Sequence, residues 1–251
     1  MALQEELKRQ GDFLFRFRSY LPALLLAVGV WVKVFVERFN GEASEQLAAE
    51  LLEALGPPVG LLGLAVRVVT VGYAPRNTSG RNTGRGQVAD VLNTTGMYSI
   101  TRNPLYLGNY LMWLAVVMLT GSVWFVVAFT LAFWIYYERI VFAEEAFLRE
   151  KFAGDYLTWA AHTPVFLPNV RKYVAPQTRF CWRKVFRQEK NGLTALLVLF
   201  CVFGLVGDIA EGEVSLAEER LSIAGALFGL WSYLVLKLLK TRTSVLSGDA
   251  R

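Results

Sequence analysis

The sequence predicts an all-α, polytopic integral membrane protein with about six transmembrane helices. Three observations predict it. Hydrophobic residues make up 54% of the 251 residues and charged residues 19%, with a mean hydropathy of +0.37. Soluble domains carry nearer a quarter charged residues, and this composition excludes a disordered chain, a coiled coil and a disulfide scaffold. Apolar runs matching a ~30 Å hydrocarbon core recur along the chain. Finally, charge is segregated. Residues 37–56 hold Glu37, Glu42, Glu45, Glu50 and Glu53 against Arg38, and residues 208–220 hold Asp208, Glu211, Glu213, Glu218 and Glu219 against Arg220. The net charge of +5 is thus a remainder of +13 set against two acidic stretches totalling −8.

The elements follow in order. Residues 1–19 mix Glu5, Glu6, Lys8, Arg9 and Asp12 with Leu3, Leu7, Leu14 and Phe17 at helical spacing. This is the pattern of an amphipathic helix in the membrane interface, not of a cleaved signal. Residues 20–73 hold two crossings, 20–36 with Lys33 near its end and 57–73 with Arg67 inside. A charge within a crossing faces the bundle or a cavity, so Arg67 is a candidate to meet a lipid phosphate; pairing internally and snorkelling are the alternatives. Residues 103–137 contain no charge. One helix of that length would run to about 52 Å, so Thr120-Gly121-Ser122 is expected to divide it into a tight hairpin. Residues 171–190 form a basic interfacial segment, and 191–251 supply two last crossings, 191–207 and 221–236, and a tail.

Six crossings put all the basic stretches on one side: Lys8 to Arg18, the 74–102 loop, 164–190 and the tail from Lys237. Both acidic stretches fall on the other. The positive-inside rule makes the basic side cytoplasmic, with both termini on it. The reading is an integral protein of a bacterial inner membrane, with the bilayer and a membrane lipid rather than nucleic acid as its partners and the oligomeric state left open. Cys181 and Cys201 are separated by this topology, so no disulfide is expected. His162 is the sole histidine and has no metal-ligand company, so no metal is expected.

Residues 74–170 carry the chemistry. The loop from Pro75 to Gly86 holds Arg76, Arg81 and Arg85 among glycines and hydroxyls, a composition that suits an anionic headgroup or a basic loop resting on anionic lipid. Then comes Arg102-Asn103-Pro104-Leu105-Tyr106-Leu107-Gly108. Pro104 suits the first turn of a helix and Asn103 its N-cap, which places Arg102 at the positive end of that helix. Tyr106 and Tyr110 share a face, and Gly108 leaves room for a neighbour. An interfacial arginine with a tyrosine belt is the plainer alternative. The hairpin's return brings Glu144 and Glu145 back to the side of Arg102. They are a candidate site, or the solvated end of a long helix. Phe152 to Tyr156, Trp159, Pro164 and Pro168 suggest an ordered lid.

Taken together, 96–168 resembles the isoprenylcysteine carboxyl methyltransferase family and its phospholipid methyltransferase relatives. That family carries Arg-His-Pro-x-Tyr-x-Gly at the start of a membrane hairpin, then a Glu-Glu pair, a Phe-Gly-x-x-Tyr segment and a closing Arg-x-x-Pro. This chain has Arg102 to Gly108, Glu144-Glu145 and Phe152-Ala153-Gly154-Asp155-Tyr156. It departs at Asn103, where the family has His, and at Val165, where the closing motif has Arg. Thr78 to Thr83 with Leu92 to Gly96 also looks like a bacterial subgroup associated in part with methylating the 1-phosphate of lipid A. The resemblance implies S-adenosylmethionine as cofactor, bound by cytoplasmic segments, and a lipid substrate entering from the bilayer.

Methyl transfer from a sulfonium demands alignment and exclusion of water, and an ionised phosphate or carboxylate acceptor needs no general base. The expected roles follow. Arg102 orients the acceptor or the cofactor carboxylate. Glu144 and Glu145 hold the cofactor's ribose or ammonium. The helix start, Asn103, Pro104, Tyr106, Leu107 and Gly108, cradles it, with Tyr106 packed against it. Arg67, Arg76, Arg81, Arg85 and Arg102 meet the substrate. Carboxyl methylation of a prenylated cysteine, amine methylation of a phospholipid, non-catalytic lipid binding and transport are the competing readings.

Overall fold

A computed structural model describes residues 2–17, 21–39, 43–75, 78, 81–83, 86–212, 217, 219–243 and 245–246. Among the described residues eight α-helices order the chain: α1 (Leu3–Phe17), α2 (Leu21–Phe39), α3 (Ala43–Tyr73), α4 (Met97–Ile100), α5 (Pro104–Met118), α6 (Val123–His162), α7 (Trp182–Glu211) and α8 (Arg220–Arg242). Between α3 and α4 a small antiparallel ribbon pairs β1 (Arg81–Thr83) with β2 (Gly86–Val88). Four of the described helices, α3, α6, α7 and α8, are long and apolar enough to cross a membrane, and α5 is a shorter apolar helix. With α2 these are the six segments expected from the sequence.

The hairpin turn falls where turn chemistry placed it. Gly121 adopts φ 69°, a left-handed conformation that glycine takes without strain. Thr120 Oγ1 donates to the Val117 carbonyl at 2.7 Å, and Ser122 caps α6 by accepting from the Phe125 amide. Val32 and Val36 of α2 pack with Val117 of α5 and Phe125, Phe129 and Phe133 of α6 as a core. α3 lies against α5 through small residues: a Cβ on Gly63 would come within 2.8 Å of the Gly108 carbonyl oxygen. Close backbone approach of this kind is how helices associate in lipid.

Three boundaries differ from expectation. α3 begins at Ala43 rather than at Pro57, so most of the acidic stretch is helix and not loop. Its Ala, Glu and Leu are strong helix formers, and Pro57 and Pro58 sit inside the helix, as neighbouring helices permit in membranes. Glu53 is drawn inward by Lys33 Nζ at 2.8 Å, and Glu37 accepts from the same ammonium. Second, α6 is broken at Ala153, where φ is 43° and ψ −116°, so 154–162 runs in a new direction. Third, α7 is continuous from Trp182, so the basic stretch ending at residue 190 enters the bundle as that helix's first turns. Lys184 Nζ donates to the carbonyls of Ala74 (2.6 Å) and Pro75 (3.1 Å), just past the C-terminus of α3.

α1 docks on α6: Tyr136 Oη donates to the Leu14 carbonyl at 2.9 Å and Arg139 Nε to Gln10 Oε1 at 2.9 Å. α7 and α8 pair through Thr194 Oγ1, which donates to the Gly229 carbonyl at 2.9 Å. The acids beside Lys33 lie at the hairpin-turn end, with Glu53 facing Gly121. Lys184 at Ala74 and Arg102 before α5 lie at the other. The charge segregation of the sequence is thus a segregation of the two ends of the bundle.

Candidate active site

The site is assembled on the stretch from Gly96 to Pro104, held from outside by the segment that follows α6. The Arg102 amide donates to the Pro164 carbonyl at 2.8 Å, and the Asn169 amide to the Ile100 carbonyl at 2.9 Å. Thr101, fully buried, donates through Oγ1 to the Phe166 carbonyl at 3.0 Å. Trp159 Nε1 donates to the Tyr98 carbonyl at 3.1 Å. These bonds make 159–169 an ordered strap, as its aromatics and prolines suggested. Asn103 does precede α5, but its side chain makes no cap bond. Instead Nδ2 donates to the Val165 carbonyl at 3.0 Å, so the strap, not the helix, uses this side chain.

α5 and α6 then converge on one ion pair. Arg102 Nη1 lies 2.9 Å from Glu145 Oε1, with both side chains largely buried. A cavity of about 260 Å³ opens beside the pair. Its charged lining is Arg67, Arg102, Glu144 and Glu145, and its aromatic walls are Tyr98, Tyr106, Tyr137, Tyr156 and Trp159. Asn103, Pro104, Leu105, Asn109 and Leu148 complete it. Arg102 and Tyr156 both line this space, and the Tyr156 hydroxyl lies within hydrogen-bonding reach of both Arg102 and Glu145.

Tyr156 lies beyond the Ala153 break, in the part of α6 left over after about 30 Å of helix has crossed the hydrocarbon core. Burial pushes its phenol well above the ordinary tyrosine value, the negative charge of Glu145 adds to this, and nearby Arg102 offsets part of it. The hydroxyl is therefore a donor at any physiological pH.

Of the residues singled out in the sequence, the structure brings together Arg67, Arg102, Asn103, Pro104, Tyr106, Glu144 and Glu145. Leu107 and Gly108 do not line the cavity, because they lie on other faces of α5. Gly108 instead gives space to the stem of Arg67 and to the Gly63 carbonyl. Arg67 pairs internally: its Nε and Nη2 donate to the two oxygens of Glu189 at 2.7 and 2.8 Å, and Nη1 donates to Asn109 Oδ1. Arg76, Arg85 and the Arg81 side chain fall outside the described residues. Sequence reasoning passed over Tyr98, Asn109, Tyr137 and Glu189. Glu189 had one signal, as the sole acid of 164–190. No group of three metal-ligating side chains gathers among the described residues.

This arrangement defines a class: a polytopic helical membrane protein with a charged, aromatic-walled cavity at one end of a membrane hairpin. The family model for phospholipid methyltransferases matches residues 58–155. That segment, which is similar to this family, carries Arg67, Arg102 and the Glu144-Glu145 pair. The chain is 30% identical over 120 residues to the cobalt-zinc-cadmium resistance protein CzcN of Cupriavidus metallidurans, covering 48% of this chain and 52% of that protein. It is 28% identical over 120 residues to the nickel-cobalt-cadmium resistance protein NccN of Alcaligenes xylosoxydans xylosoxydans, covering 48% and 53%. It is also 24% identical over 149 residues to the protein-S-isoprenylcysteine O-methyltransferase of Tribolium castaneum, covering 59% and 52%. The chain thus spans about half the length of the curated relatives it matches. No solved structure matches it significantly.

Proposed function

We propose that this protein is an S-adenosylmethionine-dependent methyltransferase of the membrane that methylates an anionic lipid headgroup, a phosphate or a carboxylate. The observation that carries the reading is the Arg102–Glu145 pair standing with Glu144 and Tyr156 in one aromatic-walled cavity. Carboxylates suit an ammonium or ribose, a guanidinium suits a carboxylate or phosphate oxygen, and aromatic faces suit an adenine and a sulfonium. The residues therefore fit the cofactor. When bound, it supplies an electrophilic methyl group on a positively charged sulfur.

The chain's own part is binding and alignment. Arg102, steered by Glu145, offers its guanidinium to an oxyanion. Tyr156 adds a neutral donor beside it. The strap from Trp159 to Asn169 closes over the helix start and limits water. The bound cofactor would give up its methyl group to the acceptor oxygen as its carbon–sulfur bond broke, so one unit of negative charge on the acceptor and the sulfonium's positive charge would be lost together. No proton moves, so no base is needed. The basic end of the bundle, which holds the cavity, is assigned to the cytoplasmic face by its Lys and Arg.

A prenylated cysteine carboxylate is the second reading, favoured by the name of the Tribolium relative. Against it, Val165 stands in the strap where that family carries Arg. The 1-phosphate of a lipid A-type headgroup is the phosphate acceptor the subgroup resemblance favours. Purified protein incubated with labelled S-adenosylmethionine and a total lipid extract tests the proposal. A labelled lipid whose mass analysis places the methyl on phosphate or carboxylate oxygen is expected. Label on an amine, or no saturable cofactor binding, would overturn it.

A further inference from the structure

Glu189 lies on α7, beyond residue 155 where the family match ends. It is 3% exposed, yet both its oxygens are taken by the Arg67 guanidinium. Arg67 and Asn109 line the cavity, whereas Glu189 stands behind them. A buried ion pair is weak evidence for stability, since apolar residues of similar volume often serve as well. Its effect on the cavity is definite: the one arginine contributed by α3 meets a ligand with its charge already cancelled and its fork already fixed.

We propose that Glu189 is a positioning residue that sets the charge of the site, holding Arg67 in the cavity wall and neutralising it so that a net cationic methyl donor can bind beside an anionic acceptor. This rests on the methyltransferase reading. S-adenosylmethionine carries an ammonium, a carboxylate and a sulfonium, a net single positive charge, and the acceptor is negative. An uncompensated Arg67 repels the first and attracts the second. Glu189→Gln therefore shifts the two Michaelis constants in opposite directions. The constant for S-adenosylmethionine rises about tenfold, and that for the lipid extract falls, by the interaction of one added charge at partly screened range. The double variant Arg67→Gln with Glu189→Gln removes both charges, so the opposite shift of the two constants is abolished.

Equilibrium binding of labelled S-adenosylmethionine and both Michaelis constants, measured on wild type and variants in the same lipid nanodiscs, test this. A merely structural role would raise both constants together or lower kcat alone, and would make the double variant worse than the single. Either result overturns the proposal. Should Glu189→Gln fail to fold, Glu189→Asp carries the test with the double variant. It keeps the charge and shortens the fork, so cofactor binding stays within about twofold while kcat falls. Tenfold weaker cofactor binding by Glu189→Asp overturns the proposal equally. Wild type without saturable cofactor binding would instead overturn the methyltransferase reading itself.

Discussion

Arg102 and Glu145 meet at 2.9 Å across the mouth of the hairpin, one just before α5 and the other far along α6. The pair engages Nη1, and the same guanidinium lines the cavity. Glu145 therefore orients Arg102 rather than using it up. Arg102→Ala should lower methyl transfer by roughly 100-fold or more, as loss of a preorganised donor does. Because the two act as a unit, Arg102→Ala with Glu145→Ala should be little worse than either single change. Labelled methyl transfer by purified variants measures this, and additive losses would refute the pairing.

Tyr156 offers a prediction with a sign. Its phenol is pushed up by burial, so it stays protonated until well above the ordinary tyrosine value. Tyr156→Phe removes the donor and should cost about tenfold in rate. The shape of the pH–rate curve between about pH 6 and 9.5 should not change, since the Tyr156 phenol stays protonated there. A wild-type decline within that range that Tyr156→Phe abolishes would show an ionising phenol and contradict the burial argument. For stability, the raised value contributes fully below about pH 10 and is lost as pH rises through the folded value.

Much of the fold was legible because hydrocarbon imposes simple rules. A charge-free run too long for one crossing had to turn, and Thr120-Gly121-Ser122 supplied the turn. Segregated charge marked the two ends of the bundle. Arg102, Glu144 and Glu145 were legible as a group because a hairpin must bring its ends together. Glu189 was not, because partnership between α3 and α7 is tertiary and leaves no local periodicity. The helical start at Ala43 was hidden by its acids, which read as a loop until Lys33 is seen to draw Glu53 inward. Asn103 has the residue type of an N-cap, but a strap more than sixty residues along competes for its side chain.

The contact of α3 with α5 sets where Arg67 sits. A Cβ on Gly63 would fall 2.8 Å from both the Gly108 carbonyl oxygen and the Met112 amide nitrogen. These are backbone atoms and cannot swing away. Gly63→Leu should destabilise the bundle by about 1–3 kcal/mol through overpacking and displace Arg67 from the cavity wall. Gly154→Ala is the control, since nothing lies within 4 Å of a Cβ there. Thermal unfolding in detergent should separate the two variants by several degrees. Equal melting temperatures would mean that the helices do not touch at Gly63.

At the far end of the bundle, Lys33 tests whether fold and site can be separated. Its side chain is 4% exposed and holds Glu37 and Glu53, from two helices, on one ammonium. Lys33→Met leaves two carboxylates without that cation in a crowded turn region. The cost should be on the order of 2–3 kcal/mol, less than for a wholly buried pair because Glu53 is about a third exposed. The cavity with Arg102 lies at the opposite end, so cofactor affinity per folded molecule should stay within about twofold of wild type. Unfolding curves and labelled-cofactor binding on the same preparation read both quantities. A melting temperature unchanged with cofactor affinity lost would reverse the assignment and place Lys33 in the site.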